Sequence, residues 1–268
     1  MESRTLVGVT AVVASCKTNL TWAHYVATRL NVIVYEQCGK DADLPLPFVV
    51  RETRRCGREA HSYLEYIVQH WDDLPEHIVF LQGDAPRHIH RFSTRTLLQS
   101  IASLVRSKST FAMLPLSGTV ATSPCQVAWK GSSTNPGMQD VQLAIANVSV
   151  PVSTHTYAHF YVARERVRRH PVAYYKRLNE LFFTGSGPGC GRKTASLFER
   201  GWPLMFGCAQ PVPAFRVVNS PSYGDFLRAC RRPATLFCCA ATEETSAPAF
   251  LVQGEENRIG CAAWHTAR

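Results

Sequence analysis

The residues whose types and spacing could do chemistry are acids, and most of them fall between residues 56 and 84. Asp72, Asp73 and Glu76 form an Asp-Asp-x-x-Glu turn; Arg58 and Glu59 open the stretch, Gln82-Gly83-Asp84 closes it, and Glu199 stands apart. Carboxylates can serve acyl transfer in two ways. One takes the proton of an α-ammonium, whose pKa is about 7.7 to 8, so that a neutral amine attacks an activated ester. Another holds a guanidinium through paired hydrogen bonds. Orientation of the amine and stabilisation of the oxyanion supply the rest. Each acid also has a plain structural reading. Glu59 in a first helical turn favours the helix dipole by about 0.3 to 1 kcal/mol. Asp84, before Ala85-Pro86, suits a turn, and Glu199 can pair with Arg200 or another arginine. Asp72 and Asp73 fall near a helix C-terminus, where the dipole disfavours acids; that placement asks for a task or a compensating arginine.

The elements that must position these acids follow from hydrophobic spacing. Ala60, Tyr63, Leu64, Ile67, Val68 and Trp71 recur at intervals of three and four, which predicts a helix starting after Gly57. Pro75 cannot continue it. Ile78, Val79, Phe80 and Leu81 then read as a strand buried on both faces. Upstream, residues 6–14, 31–35 and 48–51 read as strands and 20–30 as a helix. Downstream, Ser93 or Thr94 caps a helix through Val105, and 111–116 is a strand. This alternation predicts an α/β fold, a layered and mostly parallel sheet covered by helices, with an architecture resembling nucleotide-sugar transferases. Residues 1–210 form the expected domain; 211–268, with little periodicity, form a partly irregular C-terminal extension. Ligands of parallel sheets bind beyond the carboxyl ends of the strands, so Arg58, Glu59, Gln82 and Asp84 should share that edge, with Asp72 and Asp73 on the opposite one.

Later signals are weaker. Residues 131–138 read as a loop, 159–162 as a strand leading into basic helices, and 196–206 as a helix interrupted by Pro203. Residues 184–192 form a Gly-rich connection. It departs from a phosphate-binding loop, because no strand precedes it and Arg192 disrupts the closing motif. His88 and His90 lack a third metal ligand and read as loop histidines. No nucleophile elbow is present.

The chain has 268 residues, a formal charge of +9 and ten cysteines. That length can bury a full core. Scattered cysteines without metal-ligand spacing are expected to be reduced, inert thiols. The apolar run 6–14 is read as a strand rather than a leader, no run is long enough to span a membrane, and the protein is expected in the cytoplasm. The positive charge suits a polyanionic partner. It concentrates in Arg164, Arg166, Arg168, Arg169, Lys176 and Arg177, interleaved with Tyr161, Tyr174 and Tyr175. Such cations can neutralise tRNA phosphates while tyrosines stack on unpaired bases; alternatively, the arginines line a wet face and the tyrosines face the core.

The runs Gly57-Arg58-Glu59-Ala60-His61-Ser62-Tyr63-Leu64, Asp72-Asp73-Leu74-Pro75-Glu76 and Val79-Phe80-Leu81-Gln82-Gly83-Asp84 resemble the fungal arginine-containing cyclodipeptide synthases. So do Phe160-Tyr161-Val162-Ala163-Arg164-Glu165-Arg166-Val167 and the run from Phe198 to Gly207. The resemblance implies that arginine is joined to a second amino acid, both taken from aminoacyl-tRNAs, with Asp72, Asp73 and Glu76 catalytic and no ATP, metal or other cofactor. Arg58, Glu59, Gln82, Asp84 and Glu199 are the candidate substrate-binding residues, and the basic run is the candidate tRNA contact. The rival expectation is a metal-dependent nucleotide-sugar glycosyltransferase in which Asp84 holds Mn²⁺ and a diphosphate. The usual Asp-x-Asp is missing from that strand end. A non-catalytic RNA-binding module would leave the clustered acids without a role.

Overall fold

Every residue of Val9–Ser15 is buried, so this strand, β1, belongs in a sheet interior. It pairs in parallel with β2 (Asn31–Glu36) on one side and β4 (His77–Gln82) on the other. A strand so enclosed is part of the core, and it covers most of the run 6–14 expected as a strand. The computed structural model describes residues 5–39, 49–88, 93–114, 126–127, 153–154, 158–183, 190, 195, 198–199, 201–202, 205–206 and 239–240. The proposed loop 131–138, His90 and most of the Gly-rich connection lie outside them.

The other strands are β3 (Val49–Glu52), β5 (Ser109–Met113), β6 (Gln126–Val127), β7 (Ser153–Thr154), β8 (Phe160–Ala163) and β9 (Cys239–Ala240). The main sheet runs β3-β2-β1-β4-β8-β5-β9, while β6 and β7 form a separate ladder. Strands β3, β2, β1 and β4 are parallel, β8 runs against both β4 and β5, and β9 runs against β5. The sheet is therefore mixed, with β8 inserted between two strands that point the same way.

Helices cover both faces. On β1 the alternation of side chains divides two cores: Val9, Ala11 and Val13 pack on one face, Val12 and Ala14 on the other. The first face is covered by α1 (Thr21–Ala27) and α4 (Thr94–Arg106). The second is covered by α2 (Arg58–Gln69) and α6 (Val172–Glu180). Single-turn helices α3 (Ala85–His88) and α5 (Arg164–Val167) follow β4 and β8. In α2 the expected stripe is present: Ala60, Tyr63, Leu64 and Ile67 are buried, with Val68 and Trp71 at its margin. Tyr63, Phe80, Phe160 and Trp202 pack ring against ring beneath it, and each such pair contributes about 0.5 to 1.5 kcal/mol beyond area burial.

The expectation of reduced thiols fails for two pairs, since Cys16–Cys38 and Cys56–Cys190 are disulfides. Cys16 directly follows β1, Cys38 stands two residues beyond the end of β2, and the pairing Ser15↔Glu36 brings the two exits side by side. Cys56 and Cys190 meet because α2 packs along α6, a tertiary contact with no sequence signature. No helix among the described residues is long and apolar enough to cross a membrane.

Candidate functional site at the carboxyl edge of the sheet

Chain order places a switch between β1 and β4: from β1 the chain winds outward to β2 and β3, then returns to add β4 on the other side. In α/β sheets the crevice beyond the carboxyl ends at such a point is the usual ligand position. Here the loops leaving β1 and β4 press together. Trp22 Nε1 donates to Gly83 O at 2.8 Å, and a side chain at Gly83 would overlap Thr18.

Around these loops the buried polar groups gather. Glu36 accepts backbone N–H groups from Lys17 (3.1 Å) and Cys38 (2.9 Å), which fastens the exits of β1 and β2. Gln37 Nε2 donates to Arg58 O and to Ser62 Oγ, which anchors the first turn of α2. That turn carries Glu59, 5% exposed, whose Oε1 has no hydrogen-bond partner among the described residues; its Oε2 lies 3.8 Å from the exposed Arg58. Tyr63, wholly buried and donating to Ala158 O, has its pKa pushed well up, first by burial and then by the charges of Glu59, Glu199 and Asp84. Three acids from separate chain segments thus act on one phenol through their charge.

His159 completes the edge. Its Nε2 lies 3.0 Å from Gln82 Oε1, so Nε2 carries the proton; burial, aided by His88, lowers its pKa to about 3 and keeps the ring neutral. His159 Nδ1 is then an acceptor, buried and without a partner among the described residues. Asp84 is engaged by His88 at 3.1 Å. Among the described residues the edge therefore presents buried acceptors without partners at Glu59 Oε1 and His159 Nδ1, an arrangement suited to a ligand rich in N–H donors. Among the described residues no group of three or more metal-ligating side chains is present.

Asp72, Asp73 and Glu76 stand at the other end of the sheet. They are exposed, in the turn between α2 and β4. One length of β4, roughly 17 Å at about 3.3 Å per residue, separates them from Asp84. Compensation for acids at a helix C-terminus is present: His70 Nδ1 lies 3.1 Å from Asp73, and Arg168 donates to the carbonyls of Trp71 and Asp72. Arg164 donates to Leu74 O through its side chain and to Glu76 O through its backbone N–H. The start of the basic run thus fastens the acidic turn.

This changes the expected tRNA contact. Arg166 is 1% exposed, with Nε donating to Thr110 Oγ1, so it cannot meet a phosphate; β8 feeds it directly under β5. Arg168, Arg169, Lys176 and Arg177 are exposed and Arg164 is half-buried. Tyr161, Tyr174 and Tyr175 are buried and serve the core. Of the expected substrate residues, Arg58, Glu59, Gln82 and Asp84 share the carboxyl edge, and the charge of Glu199 is felt there at Tyr63. Sequence reasoning missed Glu36, Gln37 and His159. The first two directly follow the predicted strand 31–35 and were findable; His159 needed the reversed direction of β8.

Fold and edge together define a helix-covered α/β protein with a cluster of buried polar groups at the carboxyl ends of parallel strands. The chain belongs to the family described as protein of unknown function (DUF3431), whose model matches residues 11–220. No curated protein matches the chain.

Proposed function

We propose that the protein is a tRNA-dependent cyclodipeptide synthase that joins arginine from arginyl-tRNA to a second aminoacyl-tRNA-derived amino acid. The observation that carries this reading is the Glu59 carboxylate at the carboxyl edge, 5% exposed and with Oε1 unpaired among the described residues. A guanidinium offers five donors and a permanent charge, and suits such a site. The ester linking an amino acid to tRNA is already activated, so no nucleotide is needed. Attack by one α-amine forms the first peptide bond and releases one tRNA; attack by the second amine closes the ring and releases the other. The exposed Arg168, Arg169, Lys176 and Arg177 are assigned to tRNA phosphates. Aminoacyl-tRNAs place the reaction in the cytoplasm, where thiol reductants meet the two disulfides.

The resemblance assigns catalysis to Asp72, Asp73 and Glu76. Their separation from the carboxyl edge means that both sets cannot touch one aminoacyl group, and charge-removing variants distinguish them. Expression in a bacterial host, with mass spectrometry of the medium, should yield a cyclic dipeptide containing arginine. Purified protein should make it from charged tRNAs without ATP, and ribonuclease should stop it. Product loss at unchanged melting temperature in Asp72→Asn, Asp73→Asn and Glu76→Gln assigns chemistry to the turn; the same loss confined to Glu59→Gln and Asp84→Asn moves it to the carboxyl edge. Synthesis from free amino acids after complete tRNA digestion would sink the proposal.

A further inference from the structure

Both disulfides brace the turn that carries Glu59, from different sides. Cys56 is buried two residues ahead of Arg58, and its partner Cys190 is exposed. Gly57 donates its N–H to Cys190 O at 3.3 Å. Just after Cys56 the backbone takes two successive left-handed residues, Gly57 at φ +62° and Arg58 at φ +52°. An arginine rarely adopts that conformation, so the turn persists only because its surroundings hold it. Cys38 contributes indirectly, through its neighbour Gln37, which donates to Arg58 O and Ser62 Oγ. The two bridges differ in redundancy. The Cys16–Cys38 end is also held by the Glu36 carboxylate on Lys17 and Cys38 N–H groups and by Gln37 N–H on Ser15 O. At the Cys56–Cys190 end the bridge is accompanied by the long Gly57 hydrogen bond and by the approach of both sulfurs to Phe182 O, while one turn further on His61 Nδ1 meets Asn179 Oδ1 at 2.6 Å.

We propose that the Cys56–Cys190 disulfide is a redox clasp on the carboxyl-edge site: oxidised, it holds the first turn of α2 and Glu59 in place, and its reduction loosens that turn while the sheet stays folded. The reductant is a small thiol or dithiol of the glutathione class. Its thiolate attacks the exposed Cys190 Sγ, Cys56 leaves as a thiolate and is protonated, and a second thiol resolves the mixed disulfide. Two thiols become one disulfide, and two electrons and two protons reach the protein cysteines. The reduced state has a partner for its new protons, since both sulfurs lie close to Phe182 O: Cys56 at 3.6 Å and Cys190 at 3.5 Å. Thiols donate to that carbonyl where the bridge cannot, which keeps the reduced protein folded. The clasp does not depend on which substrate the edge takes.

The test is amide hydrogen exchange with thiol counting by alkylation and mass spectrometry, on the whole protein, before and after dithiothreitol. The proposal expects Cys56 and Cys190 bridged before treatment. After it, exchange in residues 58–62 should accelerate at least tenfold, with β1 and β4 unchanged. Cys56→Ser with Cys190→Ser should reproduce the acceleration, and Cys16→Ser with Cys38→Ser should stay within twofold of the oxidised protein. Free thiols at Cys56 and Cys190 in the untreated protein, unchanged exchange in that turn after proven reduction, acceleration throughout the sheet, or equal acceleration in the Cys16/Cys38 variant would each overturn it. If the variants do not fold, chemical reduction of the native chain decides between the same outcomes.

Discussion

Gly57→Ala is expected to destabilise the protein by about 2 to 5 kcal/mol, although it adds one methyl group. Part of the cost is backbone: at φ +62° an alanine pays about 1 to 2 kcal/mol that glycine does not. The rest is steric. An added Cβ would stand 2.6 Å from Phe182 Cδ1, and that ring is held by Phe198 at 5.0 Å and His61 at 5.9 Å between centroids, so it cannot swing away freely. Overpacking of this kind costs about 1 to 3 kcal/mol. Gly39→Ala separates the two contributions, because Gly39 has φ +84° and nothing within 4 Å of a Cβ; it should lose only the backbone part. Urea denaturation gives both values, provided the slope m is unchanged. Phe182→Leu in the Gly57→Ala background should recover part of the steric loss, and the double-mutant cycle should show a coupling of about 1 kcal/mol or more. Equal midpoints for Gly57→Ala and Gly39→Ala, or strictly additive energies in the cycle, would refute the assigned clash.

Acid sensitivity should trace to His159: its folded pKa of about 3 lies below the ordinary 6.5, so the unfolded chain binds the proton first. Its contribution is complete above about pH 6.5 and is lost as pH falls toward 3, by up to about 1.4 kcal/mol per pH unit. Stability curves for native protein and His159→Gln should diverge in slope by that amount across the window; parallel curves would refute it. Arg166→Met, which keeps an apolar stem but removes a buried cation, should leave stability within about 1 kcal/mol and the salt dependence of tRNA binding unchanged. Arg168→Glu with Arg169→Glu should instead flatten that dependence by about two phosphate contacts. A flattened slope in Arg166→Met would mean that this side chain reaches the nucleic acid.

Periodicity read the first half of the fold closely, because those elements are local: the stripe on α2, the break at Pro75 and the all-apolar core of β4 each depend on residues within a few positions. The carboxyl-edge placement of Glu59 and Asp84 followed from the same parallel order. What could not be read depends on partners far away in sequence. The reversal of β8 is fixed by pairing Phe80 with Phe160 and Phe111 with Val162, and without it His159 has no place at the edge. Arg166 looks like its exposed neighbours in sequence; only the single turn of α5 under β5 makes it a core residue. The cysteine pairs, likewise, are made by strand exits and helix packing. β9 was missed because two residues carry no period.

The late arrival of β8 also sets a hazard during synthesis. Strands β1 to β4 are complete once residue 82 has been made, and β4 then carries an apolar backbone edge, Ile78 to Leu81, with no neighbour on its outer side until Ala163 follows. At about 5 to 20 residues per second the interval is roughly 4 to 16 s. A bare apolar strand is a template for any other extended chain, so the four residues of β8 act first as a cover over that edge and only afterwards as the support of His159. A chain broken off anywhere between 83 and 157 keeps the template and lacks the cover.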